Sequence, residues 1–103
     1  MRILWSLLAH ASFEQIKDTV FERFGYRAEQ DYIAAVNKAI MQAAEFPNSG
    51  KQEFELAEDG SVRSVPVRKL SKIIYYIEDD TLRIADVWET RQDPAHLTTR
   101  FEK

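Results

Sequence analysis

The sequence predicts an α+β protein: an N-terminal strand and an antiparallel helical hairpin packed on a curved, four- to five-stranded, mainly antiparallel sheet, with a short C-terminal helix. Three observations carry this expectation. Apolar residues recur at three- and four-residue steps through the first half of the chain, then alternate from Gln52 onward. Residues 72–94 (KIIYYIEDDTLRIADVWETRQDP) join two dense β-forming runs at an acidic turn. A strand pair this apolar demands a covered sheet, whereas Trp88, Glu89, Arg91, Gln92 and Asp93 are too polar for a core, so function is expected near that exit.

A chain of 103 residues fits one domain spanning 1–103, with 45% hydrophobic and 12% aromatic residues placing it among ordered proteins. The absence of cysteine excludes disulfides, thiolate nucleophiles and cysteine-ligated metals, leaving His10 and His96 as imidazoles. No segment approaches the roughly 20 apolar residues that cross a bilayer, and no targeting pattern is evident, so a cytoplasmic protein is the expectation. The net charge of −3 is uneven: residues 1–60 carry 6 Lys/Arg against 10 Asp/Glu, residues 61–103 carry 8 against 7. Arg63, Arg68, Lys69 and Lys72 fall in a stretch, 61–77, without an acid. This cationic stripe on an acidic body is weaker than the face of a general nucleic-acid binder.

Residues 2–6 are short and apolar, suiting a strand that ends near Ser6 as a helix N-cap. Ala9, Phe13, Ile16, Val20 and Phe24 form a core-facing stripe, and Gly25 is the stop. Tyr32, Ala35, Val36, Ala39, Ile40 and Ala43 form a second stripe, reached through a short link over 25–29. Pro47, Asn48, Ser49 and Gly50 end that helix. Alternation then marks four strands, around Phe54 and Leu56, Val65 and Val67, Ile73 to Ile77, and Leu82 and Ile84. Pro66 calls for a bulge or an unpaired position. Ile84 and Val87 have opposite parity, which calls for a bulge or a strand covered on both faces. Asp93-Pro94 suits the start of the terminal helix.

Several chemistries lack their parts. No phosphate-cradling glycine loop, nucleophile elbow or helical His-Glu-x-x-His is present, and neither a metal nor a cofactor is implied. Asp86 interrupts an apolar strand, so if buried it should pair with a cation or accept backbone donors. What remains is cationic and aromatic: Arg63, Lys72 and Arg91, with Tyr75, Tyr76 and Trp88 interleaved. These residue types bind phosphates and stack on bases, and they suit an acidic peptide equally; Tyr75 is the one more suited to the core.

The order of these segments resembles the RelE/ParE superfamily of type II toxin–antitoxin toxins, the plasmid stabilisation family. The likeness rests on Trp5 to Ile16 (WSLLAHASFEQI), the helix exit FPNSG at 46–50, RSVPV at 63–67, KIIY at 72–75 and VWETRQDP at 87–94, in the same order over nearly the whole chain. The resemblance implies a helical hairpin on a curved sheet, a cognate antitoxin as partner, and one of two targets: ribosome-bound mRNA for RelE-like endonucleases, DNA gyrase for ParE-like proteins. On the nuclease alternative, Arg63, Lys72 and Arg91 match basic positions and His96 stands in for the proton-transfer group. Val65 replaces a further lysine, and the C-terminal tyrosine has no counterpart, since Thr90-Arg91 stands there. A missing acid/base group would cost a factor of about 10² to 10⁴. The expectation is therefore a ParE-like, non-nucleolytic toxin, with the mRNA interferase and a non-toxic partner-binding module as alternatives. Arg68, Lys69, Tyr76 and Trp88 are the candidate binding residues.

Overall fold

The computed structural model describes residues 1–90; the expected helix from Asp93-Pro94 lies outside the described residues. Strand β1 (Arg2–Trp5) runs into Ser6, whose backbone is extended and whose Oγ accepts the Ala9 N–H at 2.9 Å. That bond supplies one of the donors a helix leaves unpaired at its start, so α1 (Leu7–Phe24) begins where the sequence places it. Helix α1 buries Ala9, Ser12, Ile16 and Val20. Gly25, at φ +92°, closes α1 and opens α2 (Tyr26–Glu45). A Cβ there would meet open space, so it is the backbone angle that calls for glycine. The helices are thus joined by one residue, shorter than the expected 25–29 link, because residues 26–29 continue directly into helix.

Beyond the helix exit come β2 (Lys51–Gln52), β3 (Arg63–Val67), β4 (Ser71–Glu78) and β5 (Thr81–Glu89). They form the expected meander, and β1 adds to β5 in parallel, giving the order β1-β5-β4-β3-β2. One expectation is corrected. Phe54 and Leu56 lie in a turn, not a strand, because the Leu56 and Ala57 N–H groups close back on the Glu53 carbonyl at 3.0 and 3.2 Å. The first strand of the meander is therefore only two residues long. Arg68 starts one reversal at φ +54°, and Asp79 and Asp80, at φ +51° and +56°, make the expected acidic turn between β4 and β5. Pro66 pairs with Lys72 across β3 and β4, and lies past the reach of β2, which pairs only with Arg63 and Ser64. Its missing N–H costs no ladder bond on that free side.

The parity conflict in β5 is resolved by a bulge. Tyr75 pairs with Ile84 and Ile74 with Asp86, so Ala85 is the extra residue. Leu82, Ile84 and Val87 therefore all join the core with Ile73, Tyr75 and Val67 from the sheet and Val36 and Ile40 from α2. Tyr32 of α2 is buried there, its hydroxyl 2.9 Å from the Ser71 Oγ. Strand alternation puts Ile74, Asp86 and Trp88 on the opposite face, and all are buried. Trp88, expected outside the core on account of its polar neighbours, is only 3% exposed, because it continues β5 as a paired strand residue opposite Lys72. Asp86 accepts the Val87 N–H at 2.8 Å, one of the two routes anticipated for a buried carboxylate.

Ser6 links three of these elements, since its Oγ also donates to the Ala85 carbonyl at 2.8 Å. Ser6→Ala removes cap and bridge together and is expected to lower unfolding free energy by about 1–2 kcal/mol in urea denaturation. A change below a few tenths would mean that neither bond contributes.

Candidate functional site

Of the expected basic residues, the two that are described, Arg63 and Lys72, are not assembled in one place. Arg63 pairs with Tyr75 and shares the helix-facing side of β3 with Val65 and Val67. Its guanidinium donates to the carbonyls of Asn48 at 3.1 Å and Gly50 at 2.8 Å, tying β3 to the chain that leaves α2. Lys72 pairs with Pro66 and lies on the opposite face with Ser64. Its Nζ is 3.0 Å from the Glu53 carboxylate, which also accepts the Ser64 hydroxyl at 2.5 Å. The sheet itself thus separates the two cations, and each is engaged by a local acceptor.

The helix exit is tightly packed around these contacts. Tyr75 is buried, as its sequence setting suggested, and its hydroxyl donates to the Pro47 carbonyl at 2.8 Å. Burial pushes the Tyr75 phenol above its usual value, against the opposing influence of Arg63. A Cβ on Gly50 would sit 2.5 Å from that hydroxyl and 3.0 Å from the Ser64 carbonyl, so glycine is required here by space.

Arg68 and Lys69 are exposed in the turn between β3 and β4. Tyr76, half-buried, lies on the face away from the helices and lines a cavity of about 300 Å³ with Leu4, Leu8 and Arg83. Trp88 is buried beside Lys72 in the sheet. Arg91 and His96 lie outside the described residues. The candidate binding residues therefore fall at separate places rather than in one patch.

The largest openings run along β3. A groove of about 400 Å³ lies between α2 and the outer side of β3, floored by Ala34, Ala35, Ala39 and Val65 to Val67, with Asp31, Lys38 and Arg68 at its rim. A second hollow of about 560 Å³ shares Gln42, Val65 and Pro66 with it and continues past Gly50, Lys51, Glu53 and Lys72. Two sequence features underlie this groove. The alanines of α2 keep one helix face low, and β2 is too short to cover β3 beyond Ser64. Neither was legible as a site: the alanines read as part of the apolar stripe of α2, and the strand expected around Phe54 and Leu56 is a turn. Glu53, the acceptor for Lys72, carried no distinguishing signal among the acids around it.

Comparison with known proteins now fits this architecture. Residues 3–94 match the family described as the ParE toxin of type II toxin–antitoxin system, parDE. The chain therefore belongs to the ParE toxin family. It is the toxin component of a type II toxin–antitoxin module, and the system implies an antitoxin as its partner. Among solved structures, one described as the chromosomal ParDE TA system from P. aeruginosa aligns with a TM-score of 0.70 at 16% identity, covering 86% of this chain and 95% of that one. Another, described as a YoeB/ParE toxin from Agrobacterium tumefaciens, aligns with a TM-score of 0.61 at 14% identity, covering 86% and 98%. At these identities they share the fold. No individually curated protein matches the sequence. Among the described residues, no helix is long and apolar enough to cross a membrane.

Burial pushes the Glu53 carboxyl up, but the Ser64 hydrogen bond, the Lys72 hydrogen bond and charge, and the Lys51 charge outweigh it and hold the group below its usual 4.5. A lowered folded-state pKa means that the stabilisation is fully present above the ordinary carboxylate value and is lost as pH falls through the lowered one. Glu53→Gln should therefore be less stable than the native chain at pH 7, with the gap closing as pH is lowered below about 4. Urea unfolding of both proteins across that range tests this, and a gap independent of pH would show that the carboxylate charge is not what holds the segment.

Proposed function

We propose that this toxin acts on DNA gyrase, in the cytoplasm and without cleaving RNA, and that its antitoxin lays an extended segment along β3. The observation that carries the non-nucleolytic reading is the separation of Arg63 and Lys72 on opposite faces of the sheet. In-line attack of a ribose hydroxyl needs cations converging on one phosphate, within hydrogen-bond reach of it. Here the Arg63 guanidinium holds backbone carbonyls and Lys72 holds Glu53, so freeing either would break a structural contact. The choice of gyrase follows from the ParE resemblance.

The groove supports the antitoxin's position. Val65 to Val67 offer strand backbone beyond the reach of β2, beside the low alanine face of α2. Of these, only the Pro66 carbonyl faces outward, since Val65 and Val67 pair with β4, so an added segment would be held chiefly by apolar side chains settling onto Ala35, Ala39 and Val65. Lys38, Lys51 and Arg68 along the rim favour acidic residues in that segment.

Induction without antitoxin should arrest growth, with gyrase-linked DNA breaks and intact ribosome-bound transcripts. Codon-phased cleavage of those transcripts, lost in Arg63→Ala and Lys72→Ala, would overturn the assignment. Filling the groove with Ala35→Arg should preserve arrest but weaken rescue by a co-expressed antitoxin, through at least about a tenfold loss of affinity. Full rescue of that variant would place the antitoxin elsewhere.

A further inference from the structure

The joint between the helices is unusually apolar for a solvent-facing turn. Phe21, Phe24 and Tyr26 flank Gly25 and are 47%, 60% and 68% exposed. None is needed to complete the core, whose α1 stripe ends at Ile16 and Val20. A one-residue connection built on a positive φ at Gly25 asks nothing apolar of its neighbours. Exposed aromatic clusters of this kind mark interaction surfaces.

Charge sharpens the picture. Arg23 and Arg27 stand among these rings, both exposed and neither in an ion pair within the described residues. The β3–β4 turn lies alongside: a small cavity is lined by Arg23 and Phe24 from α1 and by Leu70 and Glu89 from the sheet, and Arg68 shares a wall with Asp31 of α2. Arg68 and Lys69 are likewise exposed and outside any ion pair within the described residues. One end of an acidic chain thus presents aromatic rings with four cations that lack local acids as ion-pair partners.

We propose that this end, the α1–α2 joint together with the β3–β4 turn, docks the toxin onto its target protein. The partner surface it fits is an apolar recess rimmed by acidic side chains. Aromatic and arginine side chains are the residues that most often anchor protein interfaces, and a protruding joint enters a concave partner. A phosphate backbone fits less well, because Glu22 and Glu89 lie within the same end and the first 60 residues carry 10 acids against 6 bases. The proposal rests on the toxin assignment but not on gyrase as the target, and it leaves the α2–β3 groove to the antitoxin.

The test uses the full chain with two double variants, Phe24→Ser with Tyr26→Ser, and Arg23→Glu with Arg27→Glu. Growth arrest is measured at matched expression, and the purified proteins are assayed for thermal unfolding, for binding to purified DNA gyrase and for binding to a short duplex DNA. Both variants should unfold at the native temperature yet lose arrest and gyrase binding by at least about tenfold. Arg23→Lys with Arg27→Lys should retain most of the arrest, since the charges remain. Undiminished arrest in both double variants would overturn the proposal, as would loss confined to duplex DNA binding, or loss that merely tracks a lowered unfolding temperature. If the native chain arrests growth without binding gyrase, the gyrase assignment fails, while loss of arrest in the variants still assigns the joint to target docking.

Discussion

The extra residue at Ala85 is the constraint on which the rest of the structure depends. Without it, strict alternation would turn either Leu82 and Ile84 or Val87 away from the helices. With it, all three enter one core, and Asp86 and Trp88 are carried to the other face. The displaced carbonyl also has a use. It receives the Ser6 hydroxyl, while the Ser6 N–H donates to Ile84 at 2.9 Å, so the end of β1 is held at the bulge. Because the same oxygen caps α1, the bulge in β5, the end of β1 and the start of the first helix meet at one side chain. Sheet, parallel edge strand and helical hairpin are thereby placed together.

A second consequence concerns charge. On the helix-facing side of a sheet, a half-buried basic residue is held in place where acceptors lie within its reach. Arg63 finds them in the carbonyls at the exit of α2, and it thereby joins β3 to that exit. On the other side, Lys72 and Ser64 together hold Glu53, which fixes the segment after β2 against the sheet. Cations that looked like a catalytic stripe are part of how two loops are fastened. Among the described residues, Arg63 and Lys72 therefore do not converge on one point.

The surfaces left over have different characters. Along β3 the structure offers a groove floored by small side chains beside the uncovered edge at Pro66, a surface suited to an extended partner. At the joint between the helices it offers projecting rings and arginines, suited to a recessed one. A protein that must be held by one partner and act on another benefits from keeping these apart, although Arg68 lies at the border of both.

Much of the fold was legible because local rules decide it. Helical periodicity marked both helices, Ser6 and Gly25 marked their limits, and alternation with acidic turns marked β3, β4 and β5. The mismatch of Ile84 and Val87 even announced the bulge. Misreadings arose where local pattern competes with longer-range bonding: Phe54 and Leu56 alternate like a strand, yet backbone bonds to Glu53 curl that segment into a turn. Trp88 sits among polar residues, yet pairing beside Lys72 buries it. The sequence by itself determined the class of fold, which follows from the order and periodicity of elements, and its motifs carried the resemblance to the family. Which residues meet was decided by tertiary structure alone. Strand pairing assigned Arg63 and Lys72 to opposite faces and left β3 open, because register joins positions far apart in the chain, and no local spacing encodes that.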